Sequence, residues 1–340
     1  MHNDEGTVFD GRYLLKEFKG CGSFGEVWLA VDQQTGIEVA IKIYIAMDPQ
    51  GLQDFIREFR ISFNFNHPNL LHANYLEICK EDNNRPYLVM PYCPQGSASK
   101  YIGNITENML WIFIRDVAAG LAYLHAQEPP IIHQDIKPDN ILIGPNGDFM
   151  ITDFGISKQV RSTLRRSAKQ VGSSGTIAYM GPEHFVNGYS AIKASDIWAL
   201  GATIYELAMR DLPFCGYGGS MLNHGADMAE LPEDIFSHEL NKIMQMCLNK
   251  ETWSRPSAEQ LAEYAALKVK GKNPDPIWPE DKQPAVTEES TAESTSDNHE
   301  AISNKPKSPK RGGAVSWIIT IVLGLAAGAI ASLYKGGMLF

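Results

Sequence analysis

The stretch His133-Gln-Asp135-Ile-Lys137-Pro-Asp-Asn140 runs on into Ile141-Leu142. Thirteen residues after Asn140 comes Asp153-Phe-Gly155. Two acids, an amide and a lysine stand within this span. Together they can bind a divalent cation, neutralise phosphate charge and accept a proton from a hydroxyl, which are the parts that phosphoryl transfer requires.

Upstream, three strand-like runs at 13–18, 27–31 and 39–44 are separated by glycine and polar residues, the pattern of an antiparallel sheet with tight turns. Between the first two lies Gly20-Cys21-Gly22-Ser23-Phe24-Gly25-Glu26-Val27. Glycines there let backbone N–H groups face anionic oxygens without Cβ clashes. The same spacing marks dinucleotide sites, but those loops join a strand to a helix, and this one joins two strands. The third strand carries Ala40-Ile41-Lys42, and period-two alternation puts Lys42 on the face of Ala40. A lysine so placed needs an anion. Leu52, Phe55, Ile56, Phe59 and Phe63 recur at helical spacing just after it, with Glu58 near their apolar boundary as the candidate partner. Beyond residue 101 the pattern turns helical. Leu110, Phe113, Val117, Leu121 and Leu124 form one stripe, 195–209 is apolar nearly all round, and Ser257-Ala-Glu-Gln260 spells a capping box.

In order and spacing the glycine loop, Lys42, Glu58, the Asp135 loop, Asp153-Phe-Gly155, Gly181-Pro-Glu183, Asp196-Ile-Trp198 and Arg255 resemble the eukaryotic-type (Hanks-type) serine/threonine protein kinases over residues 13–268. The resemblance implies an α+β bilobal fold: a strand-rich small lobe at 13–91 with one helix, a hinge at 91–95 and a mainly helical large lobe at 96–268. It also implies roles. The loop, with Lys19 ahead of it, covers the triphosphate of ATP. Lys42 holds the α- and β-phosphates and pairs with Glu58. Val27, Ala40 and Leu142 sandwich the adenine, Met90 is the gatekeeper, and the Cys93 amide is the hinge donor. Asp135 positions the substrate hydroxyl and takes its proton, and Lys137 stabilises the γ-phosphate. Asn140 and Asp153 bind magnesium, or manganese in its place. Glu183 and Arg255 form a structural ion pair tethering the substrate-binding segment. Lys137 and Thr176 match the serine/threonine type, so the expected partners are protein substrates. The alternatives are a catalytically weak kinase-like scaffold and a small-molecule kinase of related fold.

The chain departs from that pattern at Gln134, where the family usually has an arginine that reads an activating phosphate; this makes it a non-RD variant. Glutamine lacks the charge for that contact. Gly181 stands where alanine is common, and it is expected to loosen the backbone there. Residues 155–182 hold no acid but carry Lys158, Arg161, Arg165, Arg166 and Lys169 among several Ser and Thr residues. A solvated basic loop and a loop that autophosphorylates or docks an acidic partner both fit.

The 340 residues carry a formal charge of −10, which argues against a nucleic-acid partner. Five cysteines without a C-x-x-C pair point to a reducing compartment, and the polar start has no secretory h-region. Residues 270–313 are rich in Pro, Ser, Thr and Glu and read as a disordered linker, with seven acids and one base between Glu280 and Glu300. Residues 314–334 contain no charge and are long enough to span a bilayer as a helix. Their nine large aliphatic side chains contribute roughly −4 kcal/mol to insertion. Lys305, Lys307, Lys310 and Arg311 precede the span and only Lys335 follows within the next few residues. The positive-inside rule therefore predicts a single-pass tail anchor with the kinase-like region in the cytoplasm, near membrane-proximal substrates. Gly324-Leu-Ala-Ala-Gly328 offers a face for helix pairing and so a homodimer; glycines common to spanning helices account for it equally.

Overall fold

The computed structural model describes residues 3–21, 25–45, 49–80, 82, 84–154, 177–186 and 188–274. The expected linker and span therefore lie outside the described residues. Among the described helices none is long and apolar enough to cross a membrane.

The small lobe is one antiparallel sheet of six strands in the order β1-β2-β3-β4-β6-β5. Its strands are β1 Val8–Phe9, β2 Tyr13–Cys21, β3 Gly25–Asp32, β4 Glu38–Tyr44, β5 Tyr75–Cys79 and β6 Arg85–Pro91. The three strands expected from the sequence are present and longer than their apolar runs; β1, β5 and β6 are additional. Register sorts the side chains onto two faces. Ile41 pairs with Trp28 and Val89, and Ile43 with Tyr87. These residues join Tyr13, Leu15 and Ala30 in a buried outer core, each large side chain stabilising by about 1.5–3 kcal/mol. On the opposite face Lys42 stands between Val27 and Leu88, and Ala40 between Leu29 and Met90. Helix α1, Pro49–Phe63, packs there through Leu52, Phe55 and Phe59 beside Tyr44, Leu88 and Met90. Phe63, expected on the same stripe, is 55 % exposed. It is the last residue of the helix and meets only the ring of Phe59 among the described aromatic contacts.

The large lobe is built on α2 Glu107–His125, α3 Lys193–Met209, α4 His238–Cys247 and α5 Ala258–Val269. Thr106 caps α2 by accepting from the Met109 amide, and all five stripe residues of that helix are fully buried. Helix α3 is buried on every side, as its unbroken apolar run requires. The capping box at α5 closes with Gln260 N donating to Ser257 Oγ (3.1 Å) and Ser257 N to Gln260 Oε1 (2.8 Å). The hairpin β7 Ile141–Ile143 and β8 Phe149–Ile151 lies on α2 and links to the segment entering the small lobe's β5: Leu71 N donates to Ile151 O and Ile151 N to Asn69 O.

Candidate active site

The turn between α2 and β7 carries Asp135, Lys137 and Asn140, and Asp153 follows β8. Asp196, on the buried α3, shapes the turn. Its Oδ2 accepts from the backbone N of His133 (2.9 Å) and from His125 Nε2 (2.9 Å), and its Oδ1 accepts from the backbone N of Gln134 (2.7 Å). Gln134 holds a left-handed backbone, φ 66°, which is costly for a residue with a side chain. Asp196 supplies the hydrogen bonds that keep it there. Burial pushes the Asp196 carboxyl upward, but the His125 hydrogen bond, with His125, His133 and the Gln134 amide, more than offsets this and leaves it below its ordinary value. His133 Nε2 lies 2.9 Å from the Thr152 carbonyl and Nδ1 lies 3.2 Å from the Asp135 amide. A carbonyl can only accept, so Nε2 carries the proton and Nδ1 accepts.

Downstream of this frame, Asn140 Nδ2 donates to the Asp135 backbone O and to its Oδ2, both at 2.8 Å. Lys137 Nζ lies 3.2 Å from the same Oδ2. Asp135 Oδ2 is thereby engaged on two sides, and among the described residues no hydrogen bond or ion pair involves the Oδ1 side of the carboxylate. From the small lobe Lys42 Nζ reaches Asp153 Oδ1 at 2.8 Å. Lys42 is nearly buried, whereas the Asp153 side chain is 43 % exposed, the most open member of the cluster. The charge of Lys42 holds the Asp153 carboxyl below the usual carboxylate range, against the opposing effect of burial. Asp153 too has a left-handed backbone, φ 63°. The ring of Phe154 lies edge-on to His133 (5.6 Å) and to Phe65 (5.0 Å), which fixes where its neighbour Asp153 points.

The apolar positions expected around adenine are half-buried rather than core: Val27, Ala40, Met90 and Leu142 all sit at that level, while Cys93 is buried. Register places Val27, Ala40 and Met90 on the Lys42 face of the sheet. Leu142 sits in β7, bridged to Ser97 beyond the hinge. Burial pushes the Cys93 thiol up. Lys19 pairs with Glu17 at 2.7 Å and covers the Tyr92 ring. Glu26 Oε2 accepts from Trp28 Nε1 on the outer face. Cys21 is exposed and pairs with Glu26 in the strand register. Gly20 has φ 151°. Gly25 is required by packing, since a Cβ there would stand 2.1 Å from the Ile43 carbonyl O. Gly22, Ser23, Phe24, Thr176 and the basic residues 155–176 lie outside the described residues, as does the side chain of Glu58 on α1.

Glu183 and Arg255 meet in a two-pronged pair, 2.9 Å on each side. Arg255 also donates to the carbonyls of Ala194, Asn249 and Lys250, so all five of its N–H groups are used. Burial raises the Glu183 carboxyl, but Arg255 more than offsets it and the net shift is downward. A Cβ at Gly181 would lie 2.4 Å from Glu183 Oε2. This glycine therefore makes room for the carboxylate, and its backbone has an ordinary φ of −70°. Tyr179 donates to Glu206 of α3 from the same segment.

Sequence reasoning did not assign His125 and Asp196 to the site. A signal existed: Asp196 is an ionisable side chain inside an apolar helical run, and a buried charge demands several partners.

Among known proteins, the protein kinase domain family matches residues 13–265. The chain is 30 % identical over 266 residues to mitogen-activated protein kinase kinase kinase 3 of Arabidopsis thaliana, covering 74 % of this chain and 42 % of that protein. It is 34 % identical over 279 residues to serine/threonine-protein kinase fray1 of Dictyostelium discoideum, 77 % and 47 % respectively. It is 34 % identical over 281 residues to serine/threonine-protein kinase PknA of Mycobacterium tuberculosis, 79 % and 64 %. The chain thus spans less than two thirds of each of these relatives.

Proposed function

The chain belongs to the protein kinase family and has its two-lobed fold, and on that premise we propose that it transfers the γ-phosphate of ATP to serine or threonine hydroxyls of protein substrates. The observation that carries the reading is the 2.8 Å contact of Lys42 with Asp153. It joins a lysine of the small lobe's cleft face to an acid of the large lobe, beside the Asp135–Asn140–Lys137 cluster.

In this reading Lys42 and Lys137 bind phosphate oxygens, and Val27, Ala40, Met90 and Leu142 form an apolar slot for a base. Asp135 orients the incoming hydroxyl through Oδ1 and takes its proton, while Asn140 and Lys137 fix Oδ2 and so set the carboxylate plane. Magnesium would be held by Asn140 and Asp153. The donor set fits: the Asn140 amide nitrogen is committed to Asp135, which turns its carbonyl oxygen the other way, and Asp153 is an ionised, accessible carboxylate. When bound, the metal neutralises charge on the phosphate oxygens. Transfer of labelled phosphate from ATP to a generic basic protein tests the proposal. We expect labelling with the unaltered chain and at least a 100-fold loss in Asp153→Ala; equal labelling by both would refute it.

The same proposal places residues 314–334 in a bilayer, with 13–268 on the cytoplasmic side and substrates near the membrane. The uncharged run and the basic residues preceding it support this reading. The full chain is expected to float with phosphatidylcholine–phosphatidylserine vesicles at high pH, and a Leu323→Arg/Leu325→Arg variant is expected to sediment.

A further inference from the structure

One sequence feature takes no part in the chemistry above: Pro213-Phe-Cys-Gly216-Tyr-Gly218-Gly219-Ser220, which follows α3. Its backbone is unusual. Phe214, Cys215, Gly216 and Gly218 all have positive φ (55°, 55°, 77° and 57°), and two of these carry side chains. Such a run persists only when its surroundings impose it. Phe214 provides the anchor: it is buried and stacks on Trp198 at 5.7 Å with the rings 20° apart.

The strained turn delivers Gly218 and Gly219 against the backbone of the segment that contains Tyr179 and Gly181. A Cβ on Gly218 would stand 2.4 Å from the Ile177 carbonyl O, and one on Gly219 would stand 2.1 Å from the Pro182 nitrogen. Gly219 N donates to the Met180 carbonyl O at 2.8 Å. Only glycine permits this main-chain contact. The opposite side of the same construction is the Trp198 ring, which also carries the Arg255 guanidinium at 4.9 Å, and Arg255 grips Glu183. One buried indole thus supports two holds on residues 177–183, one by charge and one by main chain.

We propose that the loop 213–220 is a positioning element for the polypeptide substrate, acting through Gly218 and Gly219 on residues 177–182. The proposal rests on the kinase reading and deepens it: the loop sets how the protein substrate is held, and nucleotide binding does not depend on it. Displacing a positioning segment by about 1 Å costs on the order of 100-fold in rate.

The test uses the full chain with ATP and histone as a generic basic protein. Gly218→Ala and Gly219→Ala are expected to raise KM for the protein at least ten-fold while KM for ATP stays within two-fold. Gly216→Ala is the control. It has the same left-handed backbone, but a Cβ there meets only Leu212, 3.6 Å away. It is expected to lower the melting temperature without separating the two KM values. Hydrogen–deuterium exchange gives a readout independent of turnover. In Gly218→Ala, peptides covering 177–186 are expected to exchange at least ten-fold faster, and those covering 38–44 at an unchanged rate. Equal rises in both KM values, the same split in Gly216→Ala, or unchanged exchange at 177–186 overturns the proposal. Should Gly219→Ala fail to fold, Gly218→Ala decides. If the unaltered chain labels no protein, the kinase reading falls, and exchange alone still decides whether the loop holds the segment.

Discussion

Two of the ion pairs among the described residues, each joining distant parts of the chain, are built differently. Lys42 and Asp153 lie 111 residues apart and meet through one contact, with the acid 43 % exposed. Glu183 and Arg255 lie 72 residues apart and meet through two, with the guanidinium fully buried, further bonded to three carbonyls and stacked on Trp198. The first pair can open, since its acid is partly exposed and accessible to a cation. The second has no capacity left to exchange. A site that must open and close around a nucleotide needs the first kind; a segment that must stay put needs the second.

That contrast breaks if the two pairs respond alike to mutation. Asp153→Ala has the largest expected effect on turnover, the 100-fold or greater loss set out above, with little loss of folding. Arg255→Leu has the largest expected effect on stability. It leaves Glu183 without its partner in a mostly buried position, which costs about 3–5 kcal/mol and lowers the melting temperature by roughly 10 °C at 2–4 °C per kcal/mol. Calorimetry of the two variants measures both. If Asp153→Ala melts as early as Arg255→Leu, the distinction between an exchanging and a fixed pair is lost.

Acid sharpens it further. Arg255 brings the Glu183 carboxyl below its ordinary value, so the pair's contribution is complete above the ordinary carboxylate range and fades as pH falls through and below it. In Arg255→Leu burial opposes the charged carboxylate, and only the backbone and Ser195 hydrogen bonds are left to hold it. The stability gap between the unaltered chain and Arg255→Leu is therefore expected to be widest near pH 7 and to narrow below about pH 4, as read from melting curves. A gap that widens in acid would contradict the assignment.

Much of both pairs was legible in the sequence. Lys42, Asp135, Asn140, Asp153, Glu183 and Arg255 stand out as polar residues punctuating apolar runs, and spacing orders them. Period-two alternation put Lys42 on the Ala40 face, and the register agrees. What escaped is of two kinds. Strands β5 and β6 have mixed alternation, because Tyr75 and Ile78 on the edge strand are exposed while Glu77 accepts from Tyr87, so neither polarity nor period marks them. The second kind is long-range geometry. Nothing in local pattern shows that Asp196 bonds the Gln134 amide 62 residues away, or that Lys42 in this conformation meets Asp153. Gly181 illustrates the limit: alone it reads as added freedom, and only the position of the Glu183 carboxylate shows that it clears space.

The smallest expected effect is the most discriminating. A double-mutant cycle of Lys42→Met and Asp153→Asn isolates the energy of the exchanging pair in the absence of nucleotide. Only the acid of this pair is partly solvated, and water there screens the contact, so the coupling in folding free energy is expected to lie near about 1 kcal/mol, well below the cost of breaking the Glu183–Arg255 pair. Measured on nucleotide affinity instead, the same cycle is expected to show coupling of larger size, since both side chains then meet one anionic ligand and its cation. Coupling of several kcal/mol in folding, with none in nucleotide binding, would recast Lys42–Asp153 as a second fixed tether and remove the contrast from which the catalytic reading takes its support.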